Sequence, residues 1–464
     1  TDPSLERYYR QRLHWAPCAE QPSFECTTLT VPLDYARPRS GDIVLAATRK
    51  KTTGPRAERI GSLQFNPGGP GQGAMSRLWA VADGISPAVR AAYDLVALDP
   101  RGVAHSTPVS CGPATAAAPG TLRTLPAAAG GDVAAWDDAY RQLATACAHY
   151  AGRLLPHVGT ENTARDMDVL RAVLGDRRLH YFGVSYGTYL GATYARLFPS
   201  RVGRTVLDGA VDPALDGYHS LLDSAKAYQA AWQAFAADCA ARPGCPVGHS
   251  PQQADRALDT VRAALNRTPL TAGKDISVTG DDVVNAVMTA LRTPAWKDLR
   301  TALAEVRNGR TTAVQRLLAG RDASAETTDA LLAIGCLSAT LSARLTATQT
   351  TAALPEFARA SPRFGAFVAA LLPACAHWPA PPTQFPFALT DTGGAPVLVV
   401  GTTGDPTTPY AWAKAVARRL PTARLLTYDG AGHTAYQQGD PCVHAAVDRY
   451  LLSGHLPPAP AVCT

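Results

Sequence analysis

Apolar residues along the chain gather into short runs that end in turn residues. The stretches 27–33 (TTLTVPL), 43–49, 60–65 (IGSLQF), 94–99 (DLVALD), 178–184, 204–208 (RTVLD), 396–401 (PVLVVG) and 424–428 read as strands. The run at 396–401 is almost wholly apolar, as a parallel strand buried on both faces should be. Over 160–176, Ala164, Met167, Leu170 and Val173 recur about one helical turn apart. That spacing predicts an amphipathic helix feeding the strand at 178. Strand, helix and strand in this order predict a mostly parallel α/β sheet.

From about 214 to 390 the pattern changes. No comparable buried strand is expected there, and helical periodicity dominates at 221–240, 252–266, 296–307 and 325–343. Proline-rich sequence (APPTQFPF, 380–387) closes this stretch before the strand at 396. The predicted organisation is an α/β core over 1–213, a helical cap over 214–390 inserted between two late strands, and the rest of the core over 391–464. No internal repeat is visible. The tail LPPAPAVC at 456–463 reads as loose unless its cysteine ties it down.

With 464 residues, 46% of them apolar and 18% charged, the chain can bury a large core, which excludes a disordered or collagen-like polypeptide. No uncharged apolar run reaches the length of a membrane span. The net charge of +6 is spread along the chain, with no basic tract, so neither nucleic acid nor a membrane is an expected partner. Only six of the 44 basic residues are lysine, and Ala, Gly and Pro are abundant, a bias typical of a high-G+C bacterial genome.

Ten cysteines change the picture further. None forms a C-x-x-C pair, which argues against zinc ribbons and thioredoxin-like chemistry. Many pairings are open to ten cysteines. The simplest joins neighbours: Cys18–Cys26, Cys111–Cys147, Cys239–Cys245, Cys336–Cys375 and Cys442–Cys463. An oxidised, exported protein is expected on this count, against the alternative of buried free thiols in a cytosolic enzyme. Since the chain opens on polar Thr1-Asp2-Pro3, the expectation is a mature secreted chain whose signal peptide has been removed.

The sharpest chemical motif is Gly183-Val184-Ser185-Tyr186-Gly187, set between the strand LHYFGV and the helix-compatible run TYLGATYARLF. This is a G-x-S-x-G nucleophile elbow in its strand–turn–helix context. A serine hydroxyl needs a base and a group that orients the base. In α/β-hydrolases these follow in the order Ser, Asp or Glu, His. Asp405, in GTTGDPTTP after the strand PVLVV, and His433, in DGAGHTAY after ARLLTY, supply both. Competing acids are Asp208, read as a turn or N-cap residue, and Asp429 beside the histidine. His105, His180 and His377 read as structural. For the oxyanion, the glycine-rich loop Asn66-Pro67-Gly68-Gly69-Pro70-Gly71-Gln72-Gly73 follows an early strand. The backbone N–H of Gly69 and that of Tyr186 are the expected donors. The loop lacks the Lys-Ser/Thr of a phosphate-binding P-loop.

Taken together, these residues resemble the secreted tripeptidyl-aminopeptidase branch of the α/β-hydrolases, relatives of the prolyl aminopeptidases. The resemblance rests on NPGGPGQG (66–73), DPRGVAHS (99–106), GVSYGTYLGATYARLFP (183–199), VLDGAVDP (206–213), CAHWP (375–379), GTTGDPTTPY (401–410) and GAGHT (430–434). It spans nearly the whole chain. It implies an α/β-hydrolase fold with a mostly parallel central sheet, a large helical cap over the site, and no metal or cofactor. The implied activity is serine exopeptidase hydrolysis of short tri- or tetrapeptides from free N-termini, after Pro or Ala. The expected partner is a peptide with a free N-terminus, bound by a monomer. The family also includes members acting on esters and amides of small metabolites, so an esterase or amidase is the rival reading. A catalytically dead binding protein is a third, disfavoured because Ser, Asp and His are all present. Two positions depart from the family pattern. Ala104 replaces a usual glycine, and Leu337-Ser338 follows Cys336 where relatives often carry an acid two residues on. Asp212, Asp216, Asp223, Glu326 and Asp329 are the acids that could take its place against a substrate ammonium.

Overall fold

A computed structural model describes residues 3–112, 132–272, 276–319 and 325–464. Its strands are β1 (Ala16–Pro17), β2 (Glu25–Pro32), β3 (Asp42–Lys50), β4 (Gly61–Asn66), β5 (Tyr93–Leu98), β6 (Leu179–Val184), β7 (Val202–Asp208), β8 (Leu270–Ala272), β9 (Ile276–Val278), β10 (Val397–Gly404), β11 (Ala423–Ala431) and β12 (Ala461–Cys463). All but β8 and β9 form one sheet, in the order β1-β2-β3-β5-β4-β6-β7-β10-β11-β12. From β5 to β12 every pairing is parallel, whereas β1–β2, β2–β3 and β3–β5 are antiparallel. The burial patterns follow from this. All six residues of central β4 are buried, while β2 and β3 mix buried and exposed positions. This is the α/β-hydrolase fold, a mostly parallel sheet flanked by helices.

The helix predicted over 160–176 runs Thr160–Val173 and buries Ala164, Met167 and Leu170 against the core. It also buries Asp166 and Asp168, which its apolar spacing does not reveal. The Arg101 guanidinium, on the turn after β5, donates from Nε and Nη2 to the two Asp166 oxygens, both at 2.7 Å. Its remaining donors reach the carbonyls of Leu33 (2.9 Å), His157 (3.1 Å) and Pro32 (3.1 Å). One fully buried cation thus joins the end of β2, the 157 loop, the helix and its own turn.

Between adjacent strands β7 and β10 the chain is mainly helical. Helices Gly217–Ala240, Pro251–Arg267, Gly280–Arg292, Trp296–Arg307 and Thr312–Ala319 enclose a core of their own, around Trp232, Phe235, Val287, Leu303 and Phe364. The later part of this segment joins the main core instead, through Ile334, Cys336, Leu337, Cys375 and Trp378. Three details differ from the sequence expectation. The helix begun at Ala325 stops at Gly335 rather than running to 343; the chain turns there, and Ser338 bridges to Gln384. A small antiparallel hairpin, β8–β9, stands within the helical segment. The tail adds β12 in parallel to β11.

All ten cysteines are bonded, as Cys18–Cys26, Cys111–Cys147, Cys239–Cys245, Cys336–Cys375 and Cys442–Cys463. Among the described residues no helix is long and apolar enough to cross a membrane.

The Arg101–Asp166 pair leads to a stability prediction. Asp166→Leu alone leaves a buried guanidinium without its counter-charge and should cost about 3–5 kcal/mol. The double variant Arg101→Met/Asp166→Leu should cost clearly less, and urea unfolding of wild type, single and double variants checks the order.

Candidate active site

The C-terminal ends of the parallel strands bring together residues far apart in sequence. Asn66 ends β4, Ser185 follows β6, Asp208 ends β7, Asp405 follows β10 and His433 follows β11. Ligands of open α/β sheets bind at this edge.

Ser185 sits between β6 and the helix Tyr186–Leu197 with φ 56° and ψ −124°, a conformation costly for a residue with a Cβ. Its surroundings enforce that conformation. The Ser185 N–H donates to the Asp208 carbonyl (2.9 Å), and its carbonyl accepts from the Thr188 N–H (2.8 Å) and hydroxyl (2.6 Å). The flanking glycines are there for close approach. A Cβ on Gly183 would lie 2.4 Å from the Gly187 carbonyl oxygen, and one on Gly187 would lie 2.6 Å from that of Asn66.

Asp405 is buried, and its two oxygens are surrounded by donors. Oδ1 accepts from the amides of Thr407 (2.8 Å) and Thr408 (2.9 Å). Oδ2 accepts from the Thr408 hydroxyl (2.8 Å) and the Thr434 amide (3.2 Å). His433 Nδ1 lies 2.8 Å from Oδ2 and 3.1 Å from Oδ1. Burial pushes the Asp405 carboxyl up, but the His433 charge and hydrogen bond, with the backbone amides, hold it below the ordinary range. An ionised Asp405 on Nδ1 places the imidazole proton there and leaves Nε2 as the basic atom. Nε2 is buried and has no partner among the described residues. Such an arrangement can take a proton from a nearby hydroxyl and return it to a leaving group.

On the other side of the elbow, the Gly68 N–H donates to Asn66 Oδ1 (3.0 Å). Neither the Gly69 nor the Tyr186 N–H donates to a protein acceptor among the described residues. Gly68 has φ +93°, and a Cβ there would come within 3.0 Å of both Ser185 Cβ and the Tyr186 nitrogen. A side chain at 68 would therefore fill the space in front of the Tyr186 amide.

The competing residues have other partners. Asp208 turns its carboxylate to the amides of Ala435 (3.0 and 3.1 Å) and Tyr436 (2.9 Å), so it holds the loop that carries His433. Burial pushes its carboxyl up to about 6 against the pull of those amides and of His433. Asp429 accepts from the Thr403 hydroxyl, 2.8 Å away. His105 binds Asp99 and Glu20, His180 accepts from the Arg204 amide, and His377 contacts Asp137. Ser338, at the departure from the family pattern, is buried and bonded to the Tyr189 hydroxyl (2.8 Å). Of the acids that could replace the missing one, Asp212 pairs with Arg419, and Asp216 caps the helix Gly217–Ala240. Asp223 accepts from the Trp412 indole, and Asp329 from the Cys111 amide. The side chain of Glu326 lies outside the described residues. The described His, Cys, Asp and Glu side chains that cluster at metal-binding distances are Asp440, Cys442 and Cys463, and both sulfurs there are in a disulfide.

Two contributors went unread in the sequence. Thr408 bonds Asp405 and also lies 3.2 Å from His433 Nδ1; its place three residues after the acid, in DPTTP, was the available clue. The Arg292 carbonyl, from the end of a helix in the inserted segment, accepts the His433 N–H at 2.7 Å. Being a backbone contact, it leaves no trace in residue type.

A serine on a strand–helix elbow, with an aspartate–histidine pair presented by the last strands of a parallel sheet, defines a serine hydrolase of the α/β-hydrolase class. Comparison with known proteins narrows the class. A family model described as TAP-like protein matches residues 361–463. Serine protease Hip1 of Mycobacterium tuberculosis is 36% identical over 98% of this chain and 91% of its own length. Carboxylesterase B of the same species is 36% identical over 97% and 88%. Tripeptidyl aminopeptidase of Streptomyces lividans is 33% identical over 98% and 87%. The chain belongs to this TAP-like family of hydrolases.

Two predictions follow the geometry. Gly68→Ala forces a Cβ to within 2.5 Å of the Val184 carbonyl oxygen and crowds the Tyr186 amide. It should lower kcat by on the order of 10²–10³, the loss seen when one oxyanion donor is removed. Steady-state kinetics with a matched melting curve separates this from unfolding. For Asp208, a folded pKa of about 6 lies above the ordinary 3.8, so the native state binds the proton more tightly. The stability Asp208 contributes is then full at low pH and is lost as pH rises through about 6. The unfolding free energy of wild type minus that of Asp208→Asn should fall between pH 4 and pH 6 and level off above 7. A difference that climbs with pH would mean that the amide bonds outweigh burial.

Proposed function

We propose that the protein is an exported serine exopeptidase, hydrolysing short tri- or tetrapeptides from free N-termini, after Pro or Ala, through an acyl-enzyme. The observation that carries the mechanism is the buried Asp405–His433 pair with Nε2 left unpartnered, at the strand edge that also carries the elbow serine. In this reading His433 Nε2 removes the Ser185 hydroxyl proton as Oγ attacks the scissile carbonyl. The Gly69 and Tyr186 amides hold the oxyanion, and His433 then protonates the departing amine. Water attacks the acyl ester by the same route, giving its proton to His433 and restoring Ser185. Supporting the peptide assignment are the relatives named serine protease and tripeptidyl aminopeptidase. Five disulfides support an oxidising, extracellular setting.

An esterase or amidase acting on a small apolar metabolite is the second reading. It is favoured by the relative named carboxylesterase B and by Ser338, whose hydroxyl stands where an acid was expected.

Charge separates the two. An ammonium carried out of water costs several kcal/mol unless a partner meets it. Acetylating the N-terminus of a good tripeptide or tetrapeptide substrate should therefore cut kcat/KM by at least about 100-fold, close to 2.7 kcal/mol. Equal rates on free and acetylated peptides, or faster turnover of a simple ester than of any peptide, would establish the esterase. In either case Ser185→Ala and His433→Ala should each lose about 10⁶ in kcat. Asp405→Asn should lose about 10⁴.

A further inference from the structure

A cavity of about 310 Å³ lies in the apolar layer between the sheet and the helices Ala74–Val81 and Pro441–Ser453. Its floor is made of buried side chains from three neighbouring strands, Leu63 and Phe65 of β4, Leu95 of β5 and Phe182 of β6, with Leu451 and Tyr436 as walls. The aromatic rings are fixed against one another. Phe65 and Phe182 stand 6.3 Å apart, Phe182 and Tyr436 5.1 Å, and His444 stacks on Tyr436 at 4.0 Å. None of Ser185, Asp405, His433 or Gly69 lines it, so it is distinct from the catalytic edge.

The rim has a different chemistry. Arg77 lines the cavity and is exposed, and its guanidinium donates to Gln437 Oε1 at 2.9 Å. Among the described residues it meets no carboxylate. An apolar, aromatic floor with one uncompensated cation at the rim is complementary to an apolar chain ending in an anion. The volume sets the size. It is roughly twice the ~150 Å³ cavity that accepts benzene, which corresponds to on the order of 10–12 non-hydrogen atoms.

We propose that this cavity binds a medium-chain carboxylate, its acyl chain on the Phe65–Phe182–Tyr436 floor and its carboxylate on Arg77. A two-chain lipid is too large for the volume. The site adjoins the catalytic loop, because Tyr436 is both a wall of the cavity and one of the residues whose amides Asp208 holds.

The test is titration calorimetry of the whole protein with decanoate, decanol and acetate. Saturable one-to-one binding of decanoate is expected, with none for acetate. Arg77→Gln should weaken decanoate at least tenfold, the scale of one charge-assisted hydrogen bond, and leave decanol unchanged. Val81→Trp, which fills the cavity from its edge, should abolish binding of both. Gly84→Phe is the second blocking variant, since a Cβ at Gly84 meets nothing within 4 Å and the fold should tolerate it. Ser185→Ala should bind decanoate as wild type does. The proposal is overturned by no saturable binding, by binding that persists in both blocking variants, or by binding lost in Ser185→Ala. Decanoate affinity undiminished in Arg77→Gln would overturn the anionic assignment.

Discussion

Everything at the catalytic edge depends on how closely β4 and β6 approach at the turn that carries Ser185. The helix after the serine starts so near β4 that Gly187 can carry no side chain against the Asn66 carbonyl. With that approach made, the backbone has little choice. Ser185 takes a positive φ, and its N–H is held by the Asp208 carbonyl. Asn66 serves twice, because its side chain also anchors the Gly68 amide and so shapes the loop in front of the serine. One steric constraint thereby positions both the hydroxyl and the surface on which an oxyanion would rest.

The histidine is placed by a different principle. Its loop after β11 is fixed through hydrogen bonds to its backbone. Asp405 binds the Thr434 amide and the ring, Asp208 binds the next two amides, and Arg292 takes the His433 N–H itself. Two buried carboxylates set against one loop are costly to keep ionised. They differ in how that cost is met. Asp405 gains the His433 ring and hydrogen bonds enough to stay below the usual range, whereas Asp208 has chiefly backbone amides and is pushed up. Their division of labour follows. Asp405 acts on the ring and Asp208 on the chain that carries it.

Sequence periodicity reported the sheet well because burial on both faces of a parallel strand removes polar residues from it. Every predicted strand overlaps an observed one, and β10, the most apolar run, is paired on both sides, by β7 and β11. Legibility falls where position rests on something other than apolar pattern. Asp166 and Asp168 sit inside the core on a helix of which only the apolar face is legible, since a buried ion pair and a surface charge look alike in sequence. The end of the helix at Gly335 is not legible in sequence, because the bridge from Ser338 just beyond it goes to a residue far along the chain. Arg292 acts through its carbonyl, which every residue type possesses. Asp405 and His433 were readable because their chemistry restricts residue type and their strands fix the order.

The covalent links complete this division. Cys18–Cys26 joins β1 to β2 at one edge of the sheet, and Cys442–Cys463 fastens β12 at the other. Edge strands have only one paired side, so they are where a sheet frays first. Cys239–Cys245 closes the end of the long helix of the inserted segment, far from β6 in sequence. Cys336–Cys375 ties two stretches of that segment into the main core. The serine, aspartate and histidine loops are held instead by close packing and by hydrogen bonds to the backbone. Cross-links stabilise chiefly by restricting the unfolded chain, and they do little to set the direction of a hydroxyl or a ring. Stability of the periphery and precision of the site therefore rest on different interactions in this fold.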